Sequence, residues 1–236
     1  MISYSIVIPI YNEADNILPL VEEVEWVMNS YPEEWEMLFV DDGSTDGGLE
    51  ILQKLIRSRP HIRCIALKRN YGQSNALAAG IRAAKGDWVI TLDGDGQNDP
   101  RDIPLLINAK QECDLVSGIR KQRKDRLVKR IISTIANGVR RRVLQDNTKD
   151  TGCSLKIYRR SCFDKVPLYK GMHRFLPALF QIEGFTTKEV VVNHRPRERG
   201  TSKYHLFNRG ISLFIDLLAV AWMQKRRLTY EVEKEL

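Results

Sequence analysis

Short, mainly apolar runs alternating with helix-period segments constrain this chain most. Residues 3–10 (Ser-Tyr-Ser-Ile-Val-Ile-Pro-Ile), 36–41, 62–67 and 88–92 are runs of that kind. After the first, Ile17, Leu20, Val21, Val24 and Val27 or Met28 fall on one face at helical spacing. Further helices are predicted near 47–58 and 73–84. A strand covered by helices on both faces reads as continuously apolar rather than alternating. The β-α-β-α-β-α-β order therefore implies an α/β fold with a single, mostly parallel, doubly wound sheet flanked by helices and joined by right-handed crossovers.

After Pro100 the texture changes. A helix near 102–111 leads to a short strand at 115–118, then Arg120 and a basic run from Lys121 to Arg130. A helix is predicted over 126–144, with Leu127, Ile131, Ile135, Val139 and Val143 spaced four apart and six arginines or lysines on its other faces. A strand at 155–158, a helix near 175–183 and a strand at 187–194 follow. With no linker-like tract and no repeat, residues 1–205 read as one domain, and 206–236 as an apolar helix with a charged tail. The apolar stretch 211–223 falls short of the roughly 20 residues that span a bilayer, and Asp216 interrupts it. It is either a core or dimer helix, or one lying in the membrane interface with Lys225-Arg226-Arg227 reaching headgroups.

Two acidic clusters sit where strands run out. Asp41-Asp42-Gly43-Ser44 follows Met37-Leu38-Phe39-Val40, and Asp93-Gly94-Asp95-Gly96-Gln97 follows Trp88-Val89-Ile90-Thr91-Leu92. Open α/β sheets bind ligands at the carboxyl ends of their strands. There an Asp-x-Asp pair can share a divalent cation, with positions left for substrate phosphates, if glycines let the chain turn. The bland readings are a solvated acidic turn at 93–97 and a helix cap at 41–46, with Ser44 or Asp46 as N-cap. A helix-loop-helix calcium site fails on pattern, because its required Gly and Glu positions hold Asn98 and Pro104.

Neither phosphate-binding glycine signature occurs, which disfavours dinucleotide dehydrogenases and P-loop NTPases. Phosphate must be held otherwise, by a metal and by cations. Arg120 and the loop Arg195-Pro196-Arg197-Glu198-Arg199-Gly200-Thr201-Ser202-Lys203-Tyr204 supply such cations. The net charge of +7 leans the same way, towards phosphate or an anionic membrane face. Aromatics are not interleaved with the cations of 121–142, so nucleic acid is not the expected partner. The four cysteines lack metal-ligand spacing and read as thiols of a reducing cytosol. The start lacks a basic n-region, so no signal peptide is expected.

Taken in order, Ile8-Pro9-Ile10-Tyr11-Asn12-Glu13, Val40-Asp41-Asp42-Gly43-Ser44, Asp93-Gly94-Asp95-Gly96-Gln97, Ser117-Gly118-Ile119-Arg120 and Arg197 through Lys203 resemble the family-2 inverting glycosyltransferases of GT-A fold, specifically dolichyl- or polyprenyl-phosphate mannose synthases. Asp150-Thr151-Gly152 before Leu155-Lys156-Ile157-Tyr158-Arg159 adds to it. The resemblance implies nucleotide-sugar contacts at Pro9, Tyr11, Glu13, Val40, Asp42, Asp93, Gly94 and Asp95. It implies Mg2+ or Mn2+ held by Asp93, Asp95 and Gln97, and catalytic roles for Asp95, Arg120, Arg197 and Lys203. The family often has Ala where Gly94 stands, a departure expected to affect little beyond loop flexibility. Many relatives continue into membrane-spanning helices.

The implied reaction moves a hexose, mannose by default, from a GDP- or UDP-sugar to a polyprenyl phosphate with inversion. The expected location is peripheral, on the cytoplasmic face of a membrane, with room for a membrane-protein partner. A phosphate acceptor is already a nucleophile and needs no base. The competing reading is transfer to a sugar hydroxyl, which requires a base; Asp150 is the first candidate and His194 the second.

Overall fold

The computed structural model describes residues 2–121, 138–146, 148–197 and 207–227. Its strands are β1 (Tyr4–Ile10), β2 (Trp35–Asp41), β3 (Ile62–Ala66), β4 (Trp88–Thr91), β5 (Leu115–Arg120), β6 (Lys156–Arg159) and β7 (Thr187–Val192). Its helices are α1 (Ala14–Met28), α2 (Gly48–Ser58), α3 (Gln73–Ala83), α4 (Ile103–Ala109), α5 (described over 138–144), α6 (Leu176–Ile182) and α7 (Phe207–Lys225). Most of the predicted helix over 126–144 lies outside the described residues.

The strands form one seven-stranded sheet in the order β3-β2-β1-β4-β6-β5-β7. β3, β2, β1 and β4 run parallel, and β5 pairs parallel with β7. Only β6 is reversed, antiparallel to both β4 and β5.

Period-2 alternation sorts the strand side chains between two apolar layers. Tyr4, Ile6, Ile8 and Ile10 of β1, with Met37 and Phe39 of β2, face α1, Leu52 of α2 and Ile103, Leu106 and Ile107 of α4. Val7, Leu38, Val40 and Val89 face Ala76, Leu77 and Ile81 of α3, and the same layer takes in α6. The predicted α1 face is buried at every position, Ile17 through Met28. The C-terminal helix joins this core: Leu217 and Val220 of α7 are buried in the second layer, while Phe214, Ile215, Leu218 and Trp222 are 52–63% exposed. No helix among the described residues is long and apolar enough to cross a membrane.

Both acidic clusters lie on one sheet rim. Asp41 pairs with Ile10 at the end of β2, and Asp93 follows β4 two residues beyond the Val7–Thr91 pair. Neither Ser44 nor Asp46 is the N-cap of α2; Gly47 holds that position at φ 83°. Both side chains are instead drawn to the segment that enters α1. Ser44 Oγ accepts from Asn12 N (2.8 Å), and Asp46 spans the two helices, accepting from Ala14 N (2.8 Å) and Gly48 N (3.1 Å).

Candidate active site

The turn after β4 brings Asp93 and Asp95 together with a short supporting frame. Asp93 Oδ1 accepts from Gln73 Nε2 at 2.9 Å, Oδ2 accepts from Ser154 Oγ, and its backbone N donates to Asn98 Oδ1 at 3.0 Å. Thr91 Oγ1 in turn donates to Ser154 O at 2.6 Å, tying the turn before β6 to β4. Burial and then the charge of Asp95 push the Asp93 carboxyl above its ordinary range, against the pull of Ser154, Lys156 and Arg120. A carboxyl raised by burial and a neighbouring like charge favours an added positive charge.

Gly96 takes the turn at φ 71°, as a tight acidic loop requires. Gly94 has a different reason to be glycine, and here the expectation of a harmless Ala fails. A Cβ at 94 would sit 2.6 Å from Ile10 Cγ2 and 3.2 Å from Pro9 O, so the absent side chain lets the loop lie against the end of β1.

Asp95 Oδ1 accepts from Gln97 N at 3.1 Å, whereas Oδ2 accepts from Arg197 Nη2 at 2.6 Å. The same guanidinium donates through Nη1 to Glu13 Oε1 at 3.1 Å, and Glu13 Oε2 accepts from Asn16 Nδ2. Arg197 therefore joins the acid at the end of β1 to the acid at the end of β4. Burial works against its charge, but Asp95 and Glu13 outweigh that and hold the guanidinium more firmly protonated.

Arg195, two residues earlier, has a different job. Its guanidinium reaches Glu23 of α1 (2.7 Å) and Asp99 (2.6 Å), and its carbonyl accepts from Gln97 Nε2 at 3.4 Å. With Asp102 accepting from Asn193 N and Nδ2, these contacts fasten the base of the loop to the rim. Lys203 lies outside the described residues.

The remaining expected residues divide. Asp42 is 3% exposed, and its two oxygens accept from Tyr71 N (2.7 Å) and Gly72 N (2.8 Å), so it shapes the loop that enters α3. Val40 is fully buried beneath α3, near Gly80, so its side chain serves the core. Pro9 and Tyr11 are half-buried at the end of β1, beside the turn. Arg120, at the end of β5, grips Asp150 with Nε to Oδ2 (2.7 Å) and Nη2 to Oδ1 (2.8 Å). Asp150 also accepts from the backbone N of Arg120 and of Gly152. His194 forms an isolated bridge with Asn98.

Sequence reasoning missed the frame beneath the pair: Gln73, Ser154 and Lys156. Lys156 is 2% exposed on β6, level with Thr91 and Ser117, and donates to Cys153 O. Burial drives its pKa down, while Asp150 and Asp93 nearby favour its charge. A lysine flanked by Leu155 and Ile157 in a short apolar strand was the available signal.

Among the described residues no three His, Cys, Asp or Glu side chains are spaced to hold a metal. Asp93 and Asp95 nonetheless fit a hard cation that takes oxygen ligands, with few from protein and the rest from phosphate or water. The raised Asp93 carboxyl and the guanidinium already drawn to Asp95 both mark a place where positive charge is stabilised.

Comparison with known proteins identifies the family and the fold. A dodecaprenyl-phosphate galacturonate synthase of Rhizobium johnstonii is 43% identical over 94% of this chain and 67% of its own. An undecaprenyl-phosphate 4-deoxy-4-formamido-L-arabinose transferase of Edwardsiella ictaluri is 40% identical over 91% and 66%. The chain thus spans about two thirds of the length of these relatives. Among solved structures, glucosyl-3-phosphoglycerate synthase of Mycobacterium tuberculosis, in complex with Mn2+, UDP and glucosyl-3-phosphoglycerate, superposes with a TM-score of 0.67. It is 18% identical, over 94% of this chain and 79% of its own, and shares the GT-A fold. Residues 5–167 match glycosyl transferase family 2, and the chain belongs to that family.

Proposed function

We propose that this transferase moves a sugar from a nucleotide diphosphate to a polyprenyl phosphate at a membrane surface, with inversion at the anomeric carbon. The observation that carries the choice of acceptor is the state of Asp150. A base for a sugar hydroxyl must reach the proton it removes. Asp150 is instead committed to a two-pronged pairing with Arg120 and to two backbone N–H groups. An acceptor that arrives as an oxyanion needs no such base, and a phosphate monoester carries nearly two charges at neutral pH. The named substrates of the two relatives are polyprenyl phosphates, which supports the same reading.

Asp93 and Asp95, with Gln97, would hold Mg2+ or Mn2+, which supplies charge neutralisation for a departing diphosphate. Pro9, Tyr11, Glu13 and the loop shaped by Asp42 would seat the nucleotide along the ends of β1 and β2. Arg197, Arg120 and Lys203 would offset the repulsion between two anionic substrates brought into line. Neither relative is named for mannose, so the donor proposed is a nucleotide-linked sugar of broader kind, uronic acids included.

The outer face of α7 supports peripheral contact with the cytoplasmic face of a membrane. Phe214, Ile215, Leu218 and Trp222 are exposed together, with exposed Lys225, Arg226 and Arg227 behind them. Gln224 of α7 donates to Leu144 O, placing α5 alongside with Val139 and Val143 exposed and Arg141 and Arg142 beside them. Half-burial of four large apolar side chains contributes about 4 kcal/mol, and each nearby cation about 1 kcal/mol on an anionic surface. That suits reversible attachment.

The test offers radiolabelled UDP-galacturonate, UDP-glucose and GDP-mannose with undecaprenyl phosphate in liposomes and Mn2+. Label should enter a chloroform-soluble, mild-acid-labile product. Label confined to water-soluble oligosaccharide would reject the lipid-phosphate acceptor.

A further inference from the structure

Arg197 has been treated as a cation that waits for phosphate, yet its position says something more specific. Its guanidinium occupies Asp95 Oδ2 at 2.6 Å and Glu13 Oε1 at 3.1 Å. Asp95 is one of only two carboxylates available to a metal in the turn after β4, and Glu13 sits at the nucleotide end of β1. All three side chains are largely removed from water, at 21%, 13% and 10% exposure. A pairing of this kind is therefore not screened away as an open surface pair would be. Nearby Arg195 and Arg101 do not share it: both are held by Asp99, with Glu23 as the second partner of Arg195.

We infer that Arg197 is a built-in stand-in for the metal, holding the Asp95 carboxylate until the donor arrives and competing with the divalent cation for it. The inference rests on the metal reading of Asp93 and Asp95 given above. A divalent ion cannot bring its full charge to Asp95 Oδ2 while a guanidinium donates to that atom. A nucleotide diphosphate changes the balance, because its phosphates offer the guanidinium another anion while adding oxygen ligands for the metal. Metal and nucleotide then bind as a coupled pair, each raising the affinity of the other by the same factor. Arg197 becomes the residue that transmits this coupling: it moves from carboxylate to phosphate, and the metal takes the oxygen it leaves. The arrangement also guards an acidic pair from adventitious cations when no donor is present.

The experiment measures Mn2+ binding to the full chain by electron paramagnetic resonance of free Mn2+, first alone and then with UDP. Arg197→Gln should bind Mn2+ alone about tenfold more tightly than wild type, the factor set by losing one charge-assisted hydrogen bond of ordinary net strength. UDP should tighten Mn2+ binding in the wild type by a larger factor than in the variant. Arg101→Gln removes an equal charge from the same rim without touching Asp95, and should change Mn2+ affinity less than about twofold, as for a screened surface charge. Equal shifts in the two variants, an unchanged affinity, or weaker binding in Arg197→Gln would each overturn the competition. Circular dichroism melts check that both variants fold. If wild type and variant alike fail to bind Mn2+, the metal reading itself falls, and this inference with it.

Discussion

The two rims of the sheet treat a carboxylate in opposite ways. At the amino-terminal rim, Glu36 of β2 is 2% exposed and saturated: Ser5 Oγ and Lys85 N donate to Oε1, and Arg63 Nη1 donates to Oε2. Burial alone would raise its pKa, but the bonds from Ser5, Arg63 and Lys85 outweigh it, and the carboxyl is held below its ordinary value. At the carboxyl-terminal rim, Asp93 has Gln73 and Ser154 as side-chain donors, yet it also faces Asp95, and its carboxyl is raised. Burial and the like charge of Asp95 prevail at Asp93 over Ser154, Lys156 and Arg120, whereas at Glu36 a directly bonded guanidinium and two further donors prevail over burial. One rim spends its carboxylate on folding; the other keeps an electrostatic deficit that a ligand can fill.

The sharpest way to break this contrast is Asp93→Asn. Sugar transfer should fall by about 10³-fold or more, the scale of losing a main electrostatic group at a transferring phosphate. Metal-free protein should nevertheless melt no lower than wild type, because a disfavoured charge has been removed while the shape stays. Mn2+ should raise the melting temperature of wild type and leave the variant unmoved. A variant that melts well below wild type would show that Asp93 is a structural acid like Glu36.

Glu36→Gln should behave in the reverse manner. It strips the partner from Arg63 and weakens three bonds, at a cost of about 2–3 kcal/mol. In a chain of this size that lowers the melting temperature by about 4–10 °C. The protein that remains folded should bind Mn2+ as wild type does. The sign of the pH effect follows from a folded pKa below the unfolded one: the stabilisation is fully present above the ordinary glutamate value of 4.5 and is lost as pH falls through the lower folded value. Melting temperatures of wild type and variant should therefore converge on acidification below 4.5.

Much of this was readable in the chain. The apolar runs gave β1 to β4 because strands buried on both faces leave a pattern that needs no tertiary information. Asp93 and Asp95 were legible because they end such a run. The reversal of β6 was not, since Lys156-Ile157-Tyr158-Arg159 reads the same in either direction and only pairing with β4 and β5 orients it. The partners of Asp93 come from 20 and 61 residues away, and nothing local marks Gln73 or Ser154 as facing it. Arg120 and Arg197 were expected to be phosphate-handling cations, but spacing could not tell that each already holds an acid. The role expected for Lys203 lies beyond the described residues.

The mildest probe of the comparison is the frame itself. Ser154 Oγ lies within hydrogen-bonding reach of Asp93 Oδ2 and of Asn98 Oδ1, and a hydroxyl has one proton to give. The carboxylate is the stronger acceptor, so that proton fixes the orientation of Asp93. Ser154→Ala should weaken Mn2+ binding by about tenfold, the low end of the range for a residue that orients a metal ligand. Ser154→Thr keeps the hydroxyl and should recover most of that loss. A Ser154→Ala variant with unchanged metal affinity but a lowered melting temperature would place Ser154 with Ser5, as a bond that serves the fold. The two serines would then be doing the same work at opposite rims, and the rims would differ only in what stands beside the acid.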